Sequence, residues 1–491
     1  MEPELASDLF DSLGPEALLP EALLPETLAA WRPLLAEGMA LFLDRLPEAR
    51  LGAIVAEQFA LAATAPAAAR LTALLAQCPT LHKLGQVVAR QPGLDAELRR
   101  HLQALESLPA STDMAPLLAH VRAELGQDSS LHLADRALAE GSVAVVLPFS
   151  WRQDGRSHEG VLKALKPGVA QRLAEELAIL PALGDFLARR GAALGLPDID
   201  YRSHLATAGR LLTQEIRLEH EQANMRAAAS VLADDADVFV PALLPWCTPA
   251  LTAMERIDGP KLSDATLPPG ESRRLGRALV GGLLARPFWS RSESAPFHGD
   301  LHGGNLLLAA DGRIAVIDWS LTARLTKAER EALVEIALAA LALDARRIAA
   351  GLTGLGLRDT RGVSITAAVD QALDTLVRNG RPLGLDWLVG LLDALALQGA
   401  SGFGEQLAVF RKSWLSLAGV LGELGAGSDT DMPLIGLGLQ RFATEWPARL
   451  LAPAESRAFS THVSTADLMR AAADTWPASL RYWARLSGQS R

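Results

Sequence analysis

A chain of 491 residues is too long for one ordinary compact core, so two or three packed units are expected. With 49% hydrophobic, 21% charged and only 5% aromatic residues, the composition is globular and biased toward Ala and Leu, which excludes a disordered chain and favours helices. The formal charge of -10 gives no field to hold a polyanion and no dense Lys/Arg block occurs, so nucleic acid is not expected as a partner.

In chain order, the opening MEPELASDLF is acidic and lacks the basic and apolar regions of a secretory signal, so a cytoplasmic protein is expected. A short duplication, EALLPEALLPETL, is broken by its prolines into turns. Apolar residues at three-to-four spacing in LAAWRPLLAEGMALFLDRLPE, LGAIVAEQFALAATA and AAARLTALLAQ then predict packed amphipathic helices up to about residue 130. The texture changes at GSVAVVLPFSW and EGVLKALK, two β-rich runs separated by the polar turn RQDGRSHE, which predict two strands joined by a hairpin-like loop. A helix is expected over AQRLAEELAILPALGDFLARRG, and one longer helix over HLATAGRLLTQEIRLEHEQANMRAAASVLA.

Val238 to Asp258 returns to β character, ESRRLGRALVGGLLARPFW resumes a helix, and everything beyond Thr326 reads as mostly helical. The order of helices, small sheet, helices, loop-rich segment and helices is α+β and not the alternation of a doubly wound sheet. The run Val238 to Met254 is interrupted by Pro241, Pro245 and Pro249, so no transmembrane segment is expected, while peripheral contact through an amphipathic helix stays open. Cys78 and Cys247 match no metal or redox spacing. Among 47 basic residues only Lys83, Lys163, Lys166, Lys261, Lys327 and Lys412 are lysines, so each marks a place where a compact ammonium was used instead of a planar fork.

The stretch FHGDLHGGNLLLAADGRIAVIDWS, Phe297 to Ser320, carries the chemistry. Gly303 and Gly304 allow a tight loop to bring Asp300 and Asn305 together, and Asp318 follows the short apolar run RIAVI. A carboxylate can orient or deprotonate an attacking hydroxyl, and an amide oxygen with a carboxylate suits Mg²⁺ that takes its other ligands from water and phosphate. That is the logic of phosphoryl transfer. His298 and His302 have a zinc-like i,i+4 spacing, but the two glycines argue against a helix there and no HExxH glutamate is present.

HGDLHGGN followed by VIDW resembles both the aminoglycoside phosphotransferases and the UbiB/AarF/ADCK atypical kinase-like family, which share the protein-kinase-like fold. Other segments favour the second. TLHKLGQ contains a KxGQ arrangement, Lys83 to Gln86, similar to the element that this family carries on an N-terminal helical extension. VLKALKPGV looks like its strand-borne lysine motif, EIRLEHEQANMR like its ExD and EAxN helix, and LTAMERIDGPKLSD like its hinge. The chain departs from the pattern at Glu140, Gly141 and Val145 in the nucleotide-covering loop, at Arg217 in place of the ExD aspartate, and at Asp318-Trp319-Ser320 in place of D-F-G.

The resemblance implies a bilobal kinase-like fold with an N-terminal extension over 1–130, an N-lobe over 131–259 and a mostly helical C-lobe over 260–491. It implies ATP and Mg²⁺ as cofactors. Lys163, held by Glu221, would contact the nucleotide phosphates; Gly141, Ser142, Met254, Glu255 and Ile257 would line the nucleotide; Asn305 and Asp318 would bind Mg²⁺; and Asp300 would orient the acceptor. Lys83, Gln86 and Glu215 would regulate access. The expected activity is ATP hydrolysis or phosphoryl transfer to a small or lipid-like acceptor, with the family's link to isoprenoid-quinone biosynthesis as an analogy. A small-molecule phosphotransferase of the aminoglycoside or choline type and a non-catalytic nucleotide- or lipid-binding scaffold are the alternatives.

Overall fold

The computed structural model describes residues 26–61, 64–83, 113–126, 130–196, 200–359, 364–379, 384–397, 404–426 and 430–486. Their architecture is α+β. The chain divides into two compact units, Met1–Gln222 with Leu243–Arg256, and Ala223–Ala242 with Ile257–Arg491. Within the first unit, Leu117 and Val121 of the helix that precedes the sheet pack into the same core as the sheet.

The first unit begins with α1 (Arg32–Asp44), α2 (Glu48–Ala60), α3 (Ala67–Gln77) and α4 (Met114–Leu125). Phe42, Leu43, Ile54, Leu71 and Leu74 of the first three helices form a core with Ile179, Leu180 and Leu183. A buried charge centre ties the same elements together. Arg50 reaches Glu176 at 2.7 Å and Glu175 at 3.2 Å, and Glu176 also accepts the Thr80 N–H at 2.8 Å. Burial raises the Glu176 carboxyl above its ordinary range and pushes the adjacent Cys78 thiol up to about 12, so that thiol behaves as an inert core side chain.

Five strands follow in this unit: β1 (Leu131–Leu133), β2 (Ala139–Glu140), β3 (Ala144–Gln153), β4 (Arg156–Leu165) and, later in the chain, Leu251–Glu255. They form one antiparallel sheet in the order β1, β3, β4, Leu251–Glu255, with β2 also pairing β3. The segment RQDGRSHE is no loop. The strands run through it, leaving only Asp154 and Gly155, at φ 50° and 75°, as a two-residue turn, the geometry that an Asp-Gly pair favours. Leu117 and Val121 of α4 pack on Val145, Leu147, Leu162, Ala164, Leu251 and Ala253. Val145, where the family pattern has glutamine, is fully buried in that core.

Next come α5 (Val169–Ala193), α6 (Tyr201–Glu215) and α7 (Leu218–Val231). The single long helix expected over 204–233 is therefore two. The break at Ile216 and Arg217 lets Leu218 bury against Val143, Leu165 and Val169 while its N–H donates to the Pro249 carbonyl at 3.3 Å.

In the second unit β5 (Val238–Phe239) is followed, after the Leu251–Glu255 strand (β6), by α8 (Pro269–Val280), which continues through a π turn, Gly281–Ala285, to a last turn at Arg286–Phe288. Then come β7 (Ser294–His298), β8 (Leu306–Leu308), β9 (Ile314–Val316) and β10 (Thr322–Thr326). β5 pairs in parallel with β9, which pairs antiparallel with β8; β10 pairs antiparallel with β7. The helices α9 (Lys327–Leu341), α10 (Ala345–Gly354), α11 (Ile365–Asn379), α12 (Leu385–Leu397), α13 (Glu405–Glu423), α14 (Asp431–Leu451), α15 (Thr465–Ala473) and α16 (Thr475–Leu486) complete the unit. A capping box between Thr326 and Glu329 starts α9 directly at the end of β10.

Candidate functional site

Lys163 lies on β4, in register between Val146 of β3 and Thr252 of β6. A lysine in the middle of an apolar sheet needs an anionic partner. Its Nζ is 2.7 Å from Glu221 Oε1, with the glutamate side chain only 2% exposed. Gln222 anchors this first turn of α7, donating through Nε2 to the Thr248 and Leu251 carbonyls at 2.8 and 3.0 Å. Lys83, at the C-terminal limit of the described N-terminal helices, is 2.6 Å from Glu215 on α6. Gln86 lies outside the described residues. Arg217, at the position of the missing aspartate, pairs with Glu219 at 3.0 Å on the surface.

Gly141 and Ser142 sit in the tight turn between β2 and β3, where Gly141 N–H donates to the Ala144 carbonyl at 2.8 Å. The preceding Glu140 is buried and reaches Lys166 at 2.6 Å. The second lysine of VLKALK and the glutamate in the loop thus satisfy each other. Met254 is buried on β6 opposite Val161 and bridges to Leu243, with Glu255 at the strand end and Ile257 just beyond it.

The second unit builds the acidic cluster. β7 ends at His298, which is buried and neutral: its Nδ1 accepts the Asp300 N–H at 3.3 Å and its Nε2 donates to the Ile317 carbonyl at 3.2 Å. Desolvation holds its pKa below the ordinary histidine value, with the Ile317 contact a smaller opposing effect. Both ring nitrogens are thus engaged in holding the loop, an arrangement that does not suit a zinc ligand. Gly299 N–H donates to the Leu321 carbonyl at 2.8 Å, and Asn305 Nδ2 donates to the Asp300 carbonyl at 3.1 Å. This fixes the amide, which is 8% exposed, with its nitrogen toward the loop backbone. Gly303 is required at its position, because a Cβ there would lie 2.9–3.1 Å from Ser263.

Asp318 follows β9 at φ 59°, a left-handed conformation uncommon for a non-glycine residue. Its Oδ1 accepts from Ser320 Oγ at 2.7 Å and Ser320 N–H at 3.3 Å, so the Ser that replaces glycine orients the carboxylate. Trp319, 2% exposed, is locked by its indole N–H to the Val316 carbonyl at 3.0 Å and stacks edge-on against His298.

Two residues join this cluster that the sequence reading did not place. Asn224 donates to the Trp319 carbonyl at 3.0 Å and accepts from Arg324 at 2.8 Å. Lys412 of α13 lies 2.7 Å from Asp300 Oδ1. The scarcity of lysine was the only signal for Lys412, and the EQAN tetrapeptide the only one for Asn224.

Among the described residues no group of three or more His, Cys, Asp or Glu is assembled to cage a metal ion. The donors at hand, one amide oxygen and one carboxylate, are hard oxygen ligands of the kind that hold Mg²⁺ together with phosphate oxygens.

Residues 118–352 match the family model of the ABC1 atypical kinase-like domain. An uncharacterized protein of Mycobacterium tuberculosis strain H37Rv, Rv0647c, is 30% identical over 54% of this chain and 54% of its own. A probable protein kinase UbiB of Pseudomonas fluorescens is 26% identical over 55% of this chain and 51% of its own. The chain thus spans about half the length of the curated relatives it matches. The solved structure of Rv3197 in complex with erythromycin, from Mycobacterium tuberculosis, superposes with a TM-score of 0.44 at 21% identity, covering 65% of this chain and 80% of that one. The lysine strand, the HGDLHGGN loop and the IDW turn all lie inside the matched region, so residues 118–352 are similar to an ABC1 atypical kinase-like domain, in keeping with the resemblance to the UbiB/AarF/ADCK family.

Proposed function

We propose that this protein binds Mg-ATP and either hydrolyses it or transfers its γ-phosphoryl group to a small or lipid-like acceptor. The observation that carries the reading is the Lys163–Glu221 pair at 2.7 Å, because a buried strand lysine held by a helix glutamate is how kinase-like proteins present an ammonium to nucleotide phosphates. Lys163 binds phosphate oxygens. Gly141 and Ser142 cover the nucleotide, and Met254, Glu255 and Ile257 border its base. Asn305 and Asp318 hold Mg²⁺, which neutralises charge on the phosphates when bound. Asp300 orients the attacking hydroxyl, either of water or of the acceptor.

Lys83, with its partner Glu215, and Gln86 restrict entry of bulky substrates in this proposal. The units proposed for these roles are the N-terminal extension over 1–130, the lobe over 131–259 and the lobe over 260–491. An acceptor in isoprenoid-quinone or related lipid biosynthesis, and a cytoplasmic location with peripheral contact at the inner membrane face, complete the reading by analogy with the family.

The test is Mg²⁺-dependent ATP turnover by the purified chain, with and without lipid vesicles. Wild-type turnover that is lost in Asp300→Asn, together with Mg-ATP binding that is lost in Asp318→Ala, is the expected result. Undiminished Mg-ATP binding in Asp318→Ala overturns the metal assignment. Turnover surviving in Asp300→Asn overturns the acceptor assignment.

A further inference from the structure

Lys412 lies 60 residues beyond the end of the matched kinase-like domain at residue 352, yet its ammonium is 2.7 Å from Asp300 Oδ1. Three contacts seat α13 against the strands that carry the site. Phe410 meets Phe297 edge-on, with ring centroids 4.9 Å apart. Gln406 Oε1 accepts the Arg324 N–H of β10 at 2.6 Å. Val409 fills the space where Gly299 has no side chain, since a Cβ there would lie 2.7 Å from Val409 Cγ1. Through Arg324 and Asn224 the same helix is also connected to the Trp319 carbonyl, beside Asp318.

The ion pair itself has little to do with holding the fold. The Lys412 side chain is 44% exposed and that of Asp300 is 22% exposed, and ion pairs this accessible to water contribute little to folding. What the pair does hold is one carboxylate oxygen of Asp300. The backbone of that residue is fixed by His298 and Asn305, and Lys412 adds a hold on the carboxylate itself.

We infer that Lys412 is a positioning residue of the phosphoryl-transfer site, supplied by the C-terminal helices and not by the kinase-like domain, which sets the Asp300 carboxylate toward the acceptor hydroxyl. The inference rests on the function proposed above. In the step it serves, the acceptor oxygen forms a bond to the γ-phosphorus of ATP and the bond from that phosphorus to the β-bridging oxygen breaks. The electron pair leaves with ADP, and the acceptor proton passes to Asp300. The ammonium keeps the carboxylate in register until the proton arrives.

The test uses the full chain with Mg-ATP and compares wild type, Lys412→Ala and Lys412→Arg for kcat, KM for ATP and thermal midpoint. The expected result is a fall in kcat of about a hundredfold in Lys412→Ala, the scale associated with a misplaced catalytic group, with KM for ATP and the thermal midpoint near wild type. Lys412→Arg, which keeps the charge and can still reach a carboxylate, is expected to recover part of the loss. A Lys412→Ala chain with wild-type kcat overturns the inference and leaves the proposed function standing. A kcat loss that tracks a lowered midpoint, or that arginine does nothing to relieve, also overturns it. A wild-type chain that neither binds nor turns over Mg-ATP overturns the proposed function, and this inference with it.

Discussion

Glu221 is 2% exposed and takes a charge-assisted hydrogen bond from Lys163. Removing the cation alone leaves a carboxylate in a low-dielectric place, which costs more than the pair itself is worth. Lys163→Met is therefore expected to destabilise the chain by roughly 3 kcal/mol, and adding Glu221→Gln to relieve a good part of that loss. Urea denaturation of the three proteins measures this, and equal stabilities of the single and double variants would show that the buried Glu221 carboxylate is not the source of the loss. Lys163 could be recognised from its setting, a lone lysine in an apolar strand. Lys412 could not be placed against Asp300, because nothing local in the sequence relates residues 112 positions apart.

At the scale of elements, α13 and β7 meet at Gly299. A Cβ there would lie 2.7 Å from Val409 Cγ1 and 3.0 Å from the Leu321 carbonyl, and both neighbours belong to packed structure that gives little. Gly299→Ala is expected to cost about 1–3 kcal/mol of stability by overpacking, with turnover falling further than stability does as α13 is pushed from the Asp300 loop. A chemical-denaturation curve and a kcat measurement on one preparation check it; an unaffected kcat would place α13 outside the site. The helical and strand periodicities of most elements were legible before the fold was known. The break between α6 and α7 was not, since it depends on Leu218 finding a pocket formed by Val143, Leu165 and Val169. The strand extension through RQDGRSHE was missed for a related reason: polar residues at the exposed end of a hairpin carry no apolar alternation to read.

Over the whole molecule, acid sensitivity follows from buried histidines. His462 is 1% exposed, packed near Phe288 and Trp289, with Nε2 at 2.6 Å from the Phe288 carbonyl and Arg330 close by. Desolvation lowers its pKa from 6.5 to about 4, with the Arg330 charge acting in the same direction. Below the unfolded value the unfolded chain binds the proton more readily, so stability present at neutral pH is lost as the pH falls from about 6.5 toward 4. The contribution is on the order of 3 kcal/mol, and His298, lowered in the same direction, adds to it. Because His462 sits at φ 60°, His462→Asn is the suitable variant, asparagine being at ease in that conformation. Urea midpoints between pH 7 and pH 4 should fall less steeply in this variant; identical slopes would remove His462 as a source of the acid limb. No helix among the described residues is long and apolar enough to cross a membrane.

The sequence by itself determined the α+β class, the strand-borne Lys163, and the loop that brings Asp300 and Asn305 together ahead of Asp318. Those features are written in local signals: side-chain periodicity, paired glycines, and polar groups set at short spacing in apolar runs. Only the tertiary structure decided that Glu140 would satisfy Lys166, that Asn224 would brace the Trp319 carbonyl, and that a helix beyond the kinase-like domain would bring Lys412 to Asp300. Each of these pairings joins residues brought together by packing, and close packing is a property of the folded chain that no short window of sequence contains.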